Sequence, residues 1–471
     1  MLERIILLKK QPNVILINCD DLGYGDLSCY GSRINKTPAI DRLTEEGIKF
    51  TSFYMGSSVC SPSRASMLTG CYPKRIGFDP PGDECVLFPG DQNGLNPKEI
   101  TIAQILKDQG YATAIIGKWH CGDQAEFLPT NFGFDKYYGL PYSNDMGIST
   151  FGENHDKWMK KVLEDSPPLP LMENEEVIQQ QPDQSSLTER YVEKCIRFIR
   201  ENKDKPFFLY LAHMHVHLPH YPPQSFLEQS GNKPYRAAVE CIDWATSSLM
   251  YELKNQMIDD NTLIIFTSDN GSNTRFGGSN SPLRGKKGTC WEGGFRVPCI
   301  MRWPKRIKKG LTRKEFITAM DFLPTITSIV EGKLPENRII DGVDFSSLLY
   351  DETISSPRDE FFYYLKGDLC AVRKGKWKYF ADTQHYSEAL YNLNEDISES
   401  INLFDKHPDI VKELKKLIDK CRGDLGDDNL GIKGANIRPV GRVKNPKTLT
   451  KYDPDHPYIV AMYDLSDGKC G

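Results

Sequence analysis

Four short apolar runs, each ending abruptly in charged or metal-binding residues, constrain most strongly how this chain can fold. The runs lie in the stretches 13–21, 101–122, 205–220 and 261–271. Each is four to eight residues long, is rich in Ile, Leu, Val and Phe, and does not alternate with polar residues. Strands that are buried on both faces lack such alternation. The pattern therefore predicts the strands of a mainly parallel sheet.

Helical segments lie between these runs. The stretch 101–122 is typical of a helix, a stop at Gly110 and then a strand. The helix predicted over 186–202 begins with Ser186 and Glu189 at the spacing of a capping box. Alternating strands and helices predict an open α/β domain, and such sheets bind ligands beyond the carboxyl ends of their strands. We therefore expect the polar ends of the four runs to meet in one site.

The character of the sequence changes after about residue 355. Residues 1–355 are predicted to form the α/β domain, in which the Pro- and acid-rich stretch 164–186 is a long excursion at the rim of the site. Residues 356–471 are predicted to form a smaller α+β subdomain, with short antiparallel strands, a helix and an irregular polar tail from Gly423. A length of 471 residues allows this division.

Several bulk properties exclude whole classes of protein. The net charge of −5 argues against a nucleic-acid partner held by overall charge. The sequence has no run of about 20 apolar residues to span a membrane, and its N-terminal apolar run is too short for a signal peptide. The thirteen cysteines, an odd number without a CxxC pair, are interpreted mostly as reduced thiols. A cytoplasmic location is expected, although a chain trimmed of a secretory leader would look the same.

Acidic residues follow two of the predicted strands. Asp20 and Asp21 end the first run, and Asp269 and Asn270 end the fourth. Each pair alone is also typical of a turn or a helix N-cap. Together they offer three carboxylates and one amide oxygen at the same sheet edge, which suits Ca²⁺ or Mg²⁺ rather than Zn²⁺. Without a cation, the three carboxylates would repel one another.

Histidines crowd the end of the third run. The four are His213, His215, His217 and His220. They could bind zinc, pack or face solvent, or take part in catalysis, and no neighbouring cysteine or carboxylate completes a tetrahedral zinc set.

Cationic side chains lie at two further places. Lys118 and His120 are two residues apart at a strand end, so both can face one cleft. Arg284 and Lys287 belong to a Gly-rich loop that either closes over an anion or is merely solvated. A hard cation surrounded by lysines and imidazoles predicts a site for an oxyanion ester, either a phosphate or a sulfate.

Cys60 lies at the predicted start of a helix. Pro62 is typical of an early helical position, where the helix dipole stabilises an anion, and Arg64 adds a fixed positive charge. A thiolate nucleophile is therefore one hypothesis. The loop of tyrosine phosphatases, however, separates its cysteine and arginine by six residues, whereas here they are four apart.

The motifs of this chain resemble those of the type I sulfatases. CSPSRASMLTG, over residues 60–70, has every fixed position of the family signature C-x-P-S-R-x-x-x-L-T-G. Further matches occur in order along the chain: INCDDLGYGD, GKWHCG, HVHLPH, SDNG and GGSNSPLRGKKGTCWEGGFRVP. The resemblance implies an alkaline-phosphatase-like fold, with a large, mainly parallel mixed sheet flanked by helices and a smaller C-terminal domain containing an antiparallel sheet. It also implies hydrolysis of sulfate esters to an alcohol and inorganic sulfate.

The same resemblance implies a cofactor and a modification. Cys60 would be converted to formylglycine (3-oxoalanine) by a formylglycine-generating maturation enzyme, and the hydrated aldehyde would be the nucleophile. The cation would be Ca²⁺, with Mg²⁺ less favoured. Its implied ligands are Asp20, Asp21, Cys60, Asp269 and Asn270.

Roles for the other polar residues also come from the resemblance. Arg64 would stabilise the hydrate, and Lys118 and Lys287 would hold sulfate oxygens. His120 would act as a base, and His217 would protonate the departing alcohol. Residues assigned to the substrate side are Ser143, His215, His220 and Arg284. Ser143 matches a weaker family position. His213, His215 and His220 have no firm counterpart and are placed on the substrate side, and Arg284 is placed there because of its Gly-rich loop.

The motifs look closest to those of arylsulfatase A and N-acetylgalactosamine-6-sulfatase. The expected substrate is therefore a sulfated N-acetylgalactosamine-type glycan. Aryl or steroid sulfates remain alternatives, as does a phosphate or phosphonate monoester within the same superfamily. No nucleic acid or membrane partner is expected.

Overall fold

A ten-stranded mixed sheet forms the centre of the molecule. The computed structural model describes residues 11–80, 85–150, 167–458 and 461–462, so the N-terminal apolar run and the end of the polar tail lie outside the described residues. In spatial order, the strands are β13 (Leu311–Arg313), β2 (Ile48–Phe50), β12 (Cys299–Arg302), β11 (Thr262–Ser268), β1 (Asn13–Cys19), β10 (Phe207–Ala212), β5 (Ala112–Gly117), β6 (Lys136–Gly139), β8 (Pro170–Glu173) and β9 (Glu176–Gln180).

The four predicted strands are consecutive neighbours in this sheet. β11, β1, β10 and β5 pair in parallel, with Ile15 opposite both Leu209 and Ile264. All their residues are buried, and successive side chains enter hydrophobic clusters on opposite faces of the sheet. Burial on both faces explains why these runs do not alternate with polar residues, and the predicted α/β fold is confirmed.

Helices cover both faces of the sheet and connect its strands. They are α1 (Pro38–Glu45), α2 (Cys60–Thr69), α3 (Ile102–Asp108), α4 (Leu187–Asn202), α5 (Gln224–Gln229), α6 (Pro234–Asn255), α7 (Glu292–Phe295), α8 (Phe322–Ile329) and α9 (Pro408–Leu425). The predicted stop after α3 is confirmed, since Gly110 has φ 85°. The predicted capping box is wrong: the Ser186 side chain makes no cap hydrogen bond, because a turn of 3₁₀ helix over Gln184–Ser186 precedes α4.

A smaller antiparallel sheet forms the C-terminal part, as predicted. Its strands are β15 (Glu360–Leu365), β16 (Asp368–Lys374), β17 (Trp377–Phe380) and β18 (Ala389–Asn392), and α9 packs on β16. A third hydrophobic cluster, rich in aromatic side chains, joins this sheet to the large domain. Short paired strands complete the description: β3 (Phe53–Tyr54) with β14 (Ile317–Thr318), β4 (Asn93–Gly94) with β21 (Gly441–Arg442), β7 (Ser149–Thr150) with β22 (Ala461–Met462), and β19 (Gly426–Asp427) with β20 (Ile432–Lys433).

The described part of the predicted excursion over 164–186, which starts at residue 167, forms a β-hairpin, and its place at the rim of the site stays a prediction. This segment contains β8 and β9, which extend the large sheet at one edge. Gln181 fastens the hairpin to the preceding chain: its Oε1 accepts hydrogen bonds from the amides of Ile148 (3.1 Å) and Leu169 (2.8 Å). Pro170 is tolerated in β8 because it is the first residue of the strand and lies beyond the pairing with β6, which involves only Met172 and Glu173.

Two expectations based on composition can be compared with the described residues. The twelve cysteines in this part of the chain are all free thiols. Among the same residues, no helix has the length and apolar character needed to cross a membrane.

Candidate active site

The carboxyl ends of β11, β1, β10 and β5 meet in one buried cluster of polar side chains. Backbone hydrogen bonds carry the sheet register into this cluster: the amide of Asp20 donates to the carbonyl of His215 (2.9 Å), and that of Asp269 donates to Cys19 (3.0 Å). The amide of Lys118 donates to the carbonyl of Ala212 (2.8 Å). Residues far apart in sequence are thereby fixed side by side, as expected for parallel strands.

Helix α2 delivers Cys60 to the same place. The helix begins at Cys60 and is buried along its whole length. Gly70 ends it with φ 67°, and its backbone N–H donates a hydrogen bond to the carbonyl of Ser66 (2.9 Å). The Cys60 Sγ lies 3.5 Å from Asp20 Oδ1. The Ser63 hydroxyl donates to the carbonyl of Asp269, which ties the first turn of the helix to the end of β11.

Each of the three carboxylates has a cationic partner. Lys118 Nζ lies 2.5 Å from Asp20 Oδ2, and Lys287 Nζ lies 3.0 Å from Asp21 Oδ2. Arg64 binds Asp269 Oδ2 through Nε (2.9 Å) and Nη2 (2.8 Å). Asp20, Asp269, Arg64 and Lys118 have no exposed side-chain area, and Asp21 and Lys287 have less than a tenth exposed.

This surrounding charge shifts the pKa values of the carboxyl groups in opposite directions. Burial alone would raise the pKa of Asp20, but the charges of Lys118, Arg64 and Lys287 hold it well below its usual range. Burial, reinforced by the charge of Asp20, raises the pKa of Asp269 to about 7. Burial also raises the pKa of the Cys60 thiol well above its ordinary value. This raised pKa argues against the thiolate that the nucleophile hypothesis required.

The residues fit a hard divalent cation. Ligand atoms of Asp20, Asp21, Cys60 and His217 all lie within 4.8 Å of one another. The Asn270 Oδ1 is buried and, within the described part of the chain, has no hydrogen-bond partner, while its Nδ2 donates to Asp21 Oδ1 (2.6 Å). An orphaned amide oxygen beside carboxylates is the donor set that Ca²⁺ prefers, since that ion takes six to eight oxygens.

His120 approaches the cluster with a constrained backbone. Its φ of 60° lies in the left-handed region, which non-glycine residues rarely adopt and which is often found at functional sites. Its Nε2 is 3.0 Å from the carbonyl of Leu87, and its Nδ1 is buried without a hydrogen-bond partner among the described residues. Burial and the nearby charge of Lys118 lower the pKa of this imidazole well below its ordinary value.

His217 lies beside the carboxylates of Asp20 and Asp21. Its Nδ1 is 2.7 Å from the carbonyl of Leu218, so that nitrogen carries a proton, and its Nε2 is 3.8 Å from Asp21 Oδ2. The hydroxyl of Ser143 lies between His217 Nδ1 (3.4 Å) and Lys118 Nζ (3.2 Å). The structure therefore brings Ser143 into the cluster.

Comparison with known proteins decides what this arrangement is. A model of the sulfatase family, described as "Sulfatase", matches residues 12–332, which contain every residue of the cluster. The chain belongs to the sulfatase family. It is a sulfuric ester hydrolase with the large mixed sheet typical of its relatives. A second family model, "N-sulphoglucosamine sulphohydrolase, C-terminal", matches residues 286–424.

Individual relatives extend over most of this sulfatase. Arylsulfatase A of Homo sapiens is 37% identical over 452 residues and covers 87% of each chain. Steryl-sulfatase of Mus musculus is 34% identical and covers 81% of this chain and 73% of its own. The solved structure of Ps i-CgsB in complex with k-i-k-neocarrahexaose has a TM-score of 0.76 at 30% identity, covering 87% of this chain and 92% of that one.

In the described part of the chain, three of the residues assigned to the substrate side make no side-chain hydrogen bond or ion pair with the polar cluster, and their environments differ from one another. Arg284 donates from Nη1 to the carbonyl of Glu399 (2.8 Å) and stacks on Trp291, with its guanidinium carbon 3.6 Å from the ring centroid. These contacts join the loop of the sulfatase to its C-terminal part. His215 is fully buried, and neither of its nitrogens has a hydrogen-bond partner among the described residues. His220 bonds through Nε2 with the carbonyl of Val216 (3.0 Å). For all three, a substrate contact stays a prediction.

Burial keeps the non-catalytic histidines neutral. It lowers the pKa of His213 and of His215 to about 3, and that of His220 to about 4. Among the described residues, only the cluster that includes His217 brings three or more ligand atoms together. The zinc hypothesis for the four histidines is therefore not supported.

Two serines of α2 make hydrogen bonds within the site that their place at a predicted helix start did not indicate. Ser63 holds the carbonyl of Asp269, and the hydroxyl of Ser61 accepts a hydrogen bond from the amide of Leu87 (3.1 Å). Ser63 is a fixed position of the signature C-x-P-S-R, whereas the only signal for Ser61 was its position beside Cys60 in the first turn of a helix. A hydroxyl there is equally typical of an ordinary helix start.

Proposed function

We propose that this sulfatase hydrolyses sulfate monoesters with a formylglycine made from Cys60, beside a bound Ca²⁺. The observation that carries the proposal is the position of Cys60: it is fully buried at the first residue of α2, 3.5 Å from Asp20 and among three cations that pair with carboxylates. When present, the aldehyde hydrate supplies the attacking oxygen and Ca²⁺ offsets the charge of the sulfate.

The surrounding side chains are suited to bind the sulfate anion. Lys118 and Lys287 each place an ammonium group on a carboxylate at the rim of the cation site. Burial would lower the pKa of Lys287, but Asp21 raises it well above its ordinary value, so the group stays charged. Preorganised charges in a water-poor site stabilise developing negative charge far better than charges in solvent do.

The two histidines are suited to opposite proton transfers. His217 has its Nδ1 proton engaged by the Leu218 carbonyl, so Nε2, beside Asp21, is the atom that would hand a proton to the leaving alcohol. His120 has its Nε2 engaged by Leu87, so Nδ1 is the atom free to accept a proton. One group that donates a proton and another that accepts one are what ester cleavage and turnover need.

The mass of the Cys60 peptide tests the modification. Coexpression with a formylglycine-generating maturation enzyme should lower that mass by one sulfur and two hydrogens and raise it by one oxygen. Sulfatase activity should rise in proportion to the converted fraction, and a Cys60→Ala variant should stay inactive. Equal activity of converted and unconverted protein would contradict the proposal.

For the substrate, we propose a sulfated N-acetylgalactosamine-type glycan. Support comes from the motif resemblance to N-acetylgalactosamine-6-sulfatase and from the similar structure that is a complex with k-i-k-neocarrahexaose. The relatives named arylsulfatase A and steryl-sulfatase favour small aryl or steroid esters as the second candidate. A panel of sulfated disaccharides, nitrocatechol sulfate, a steroid sulfate and a matched aryl phosphate distinguishes them. Turnover of the aryl or steroid ester without the disaccharides would contradict the glycan proposal, and a faster aryl phosphate would contradict the sulfatase preference.

A further inference from the structure

A chain of two hydrogen bonds runs from helix α2 to the ring of His120. The Ser61 hydroxyl accepts a hydrogen bond from the amide of Leu87 at 3.1 Å, and the carbonyl of the same Leu87 lies 3.0 Å from His120 Nε2. All three residues are buried, with at most 3% of their area exposed. Ser61, the residue after Cys60, and His120 are thus connected through one intervening residue, Leu87.

The second bond fixes which ring nitrogen of His120 carries the proton. A backbone carbonyl can only accept, so the nitrogen facing it must donate. Since the buried imidazole is neutral, it has one N–H, and that N–H is on Nε2. The lone pair is therefore on Nδ1, which is buried and has no hydrogen-bond partner among the described residues.

Leu87 can fix the tautomer of His120 only if the peptide groups on both sides of Leu87 are held in place by hydrogen bonds. The segment that follows is anchored to the same elements, because the amide of Gly90 donates to Asp123 Oδ2 (2.6 Å), three residues beyond His120. At the start of the segment, Ser61 is the partner of the Leu87 amide. Without the Ser61 hydroxyl, this buried amide would lose its acceptor, and a shift of the peptide toward another partner would move the carbonyl as well.

We infer that Ser61 is a positioning residue, which holds the Leu87 carbonyl so that His120 stays in the Nε2–H tautomer with Nδ1 as the accepting atom. The inference rests on the proposed function for the statement that His120 is a base, but the tautomer itself is independent of activity. The signature C-x-P-S-R leaves the position of Ser61 variable, so substitution there retains every fixed position of the motif.

The test compares Ser61→Ala with Ser66→Ala. Ser66 is a matched control because it is equally buried on the same helix, and its hydroxyl has no hydrogen-bond partner in the described structure. Full-length protein with ¹⁵N-labelled histidine, saturated with Ca²⁺ and not yet modified at Cys60, gives the tautomer from the ring-nitrogen resonances. A His120→Gln variant assigns the signals.

Wild type and Ser66→Ala should show a protonated Nε2 and an unprotonated Nδ1 for His120. Ser61→Ala should show exchange between the two tautomers or a shifted Nε2 signal. In matured enzyme, normalised to the aldehyde content of the Cys60 peptide, its kcat should fall about tenfold with KM changed less than about twofold, the size expected for one lost positioning hydrogen bond.

A wild-type resonance pattern with the proton on Nδ1 would overturn the inference. So would a Ser61→Ala variant whose His120 signals and kcat match those of Ser66→Ala. If Ser61→Ala does not fold, Ser61→Thr and Ser61→Val replace it: they have the same shape, and only the hydroxyl of Thr should preserve the wild-type signals. Failure of the proposed function would instead appear as absent turnover in matured wild type, with the tautomer unchanged.

Discussion

Lys378→Met is predicted to destabilise the junction between the C-terminal sheet and the loop that carries Lys287. The Lys378 ammonium is buried, 2.8 Å from Glu399 Oε1, 3.0 Å from Glu292 Oε1 and 2.8 Å from the carbonyl of Cys290. Neither glutamate has exposed side-chain area. Replacing the ammonium with a methyl group of similar length removes the charge while retaining most of the packing.

The two glutamates are left with different partners. Glu292 retains Arg296 at 3.4 Å and the hydroxyl of Tyr363 at 3.1 Å. Glu399 retains the amide of Glu292 at 2.7 Å and, in the described structure, no other cation is paired with it. Removing one member of a buried ion pair costs about 3–5 kcal/mol. We therefore expect Lys378→Met to lower the free energy of unfolding by about this amount near pH 8, mainly because Glu399 is left charged without a cationic partner.

The sign of the pH dependence follows from Glu399. Burial raises its pKa to about 7, so its protonation stabilises the folded state at low pH, and this contribution is lost as the pH rises through 7. Without Lys378 the folded-state pKa rises further, so stability continues to fall above pH 7, where the wild type levels off. Each additional pKa unit is worth about 1.4 kcal/mol. The loss should therefore be about 1.4 kcal/mol larger near pH 8 than near pH 6.

Urea unfolding at both pH values measures this difference. Lys376→Met is the matched control: Lys376 is exposed, two residues away, and its substitution should change stability by less than about 0.5 kcal/mol. The reasoning is refuted if Lys378→Met loses less than about 1 kcal/mol near pH 8, or if its loss is equal at the two pH values. Adding Glu399→Gln to Lys378→Met should recover part of the stability.

Three further predictions concern the site directly. Chelation with EGTA should abolish turnover and lower the unfolding midpoint measured by thermal shift. Ca²⁺ at 100 times its Kd should then restore about 2.7 kcal/mol of the free energy of unfolding in wild type. In Asp20→Asn the same Ca²⁺ concentration should restore none. His217→Asn should reduce kcat on a sugar sulfate about 100-fold and on nitrocatechol sulfate much less, because a good leaving group needs no proton; equal losses would contradict the acid role. Gly117→Ala should cost at least about 2 kcal/mol by urea unfolding, because φ is 115° and its Cβ would lie 1.8 Å from the carbonyl oxygen of Ala212, whereas Gly110→Ala has open space and should cost less.

The large sheet was predictable because its central strands are buried on both faces. Burial on both faces is visible in the sequence as an apolar run that does not alternate with polar residues. Parallel pairing then places the polar residue after each run at the same edge of the sheet. The β8–β9 hairpin leaves no such mark. Its second strand is half exposed, with polar residues at several positions, so its composition does not indicate a strand. Pairing of β8 with β6 and of β9 with β8 makes the segment part of the sheet, and tertiary pairing of this kind overrides local propensity.

The site was predictable where a strand or helix end fixes a residue's position. Asp20, Asp269, Lys118 and Cys60 each occupy such an end, so their type and register were enough to bring them together. Arg284 and Lys287 lie on a loop without periodicity. Their spacing in the sequence does not indicate which of the two cations faces the site and which faces the C-terminal part of the chain. Only the fold shows that Lys287 contacts Asp21 and that Arg284 contacts Glu399.

The loop that carries Arg284 and Lys287 connects the C-terminal part of the sulfatase to its active site. Arg284 lies three residues before Lys287 and Glu292 lies five after it, and both bind Glu399. The intervening turn is therefore held from both sides by a residue beyond 355, and Lys378 closes the arrangement on the carbonyl of Cys290. A chain cut at residue 355 would retain every residue that touches the cation site, but it would lose the contacts that fix the Lys287 loop. Since a misplaced ammonium binds sulfate poorly, residues 1–355 alone should show a raised KM even if they fold.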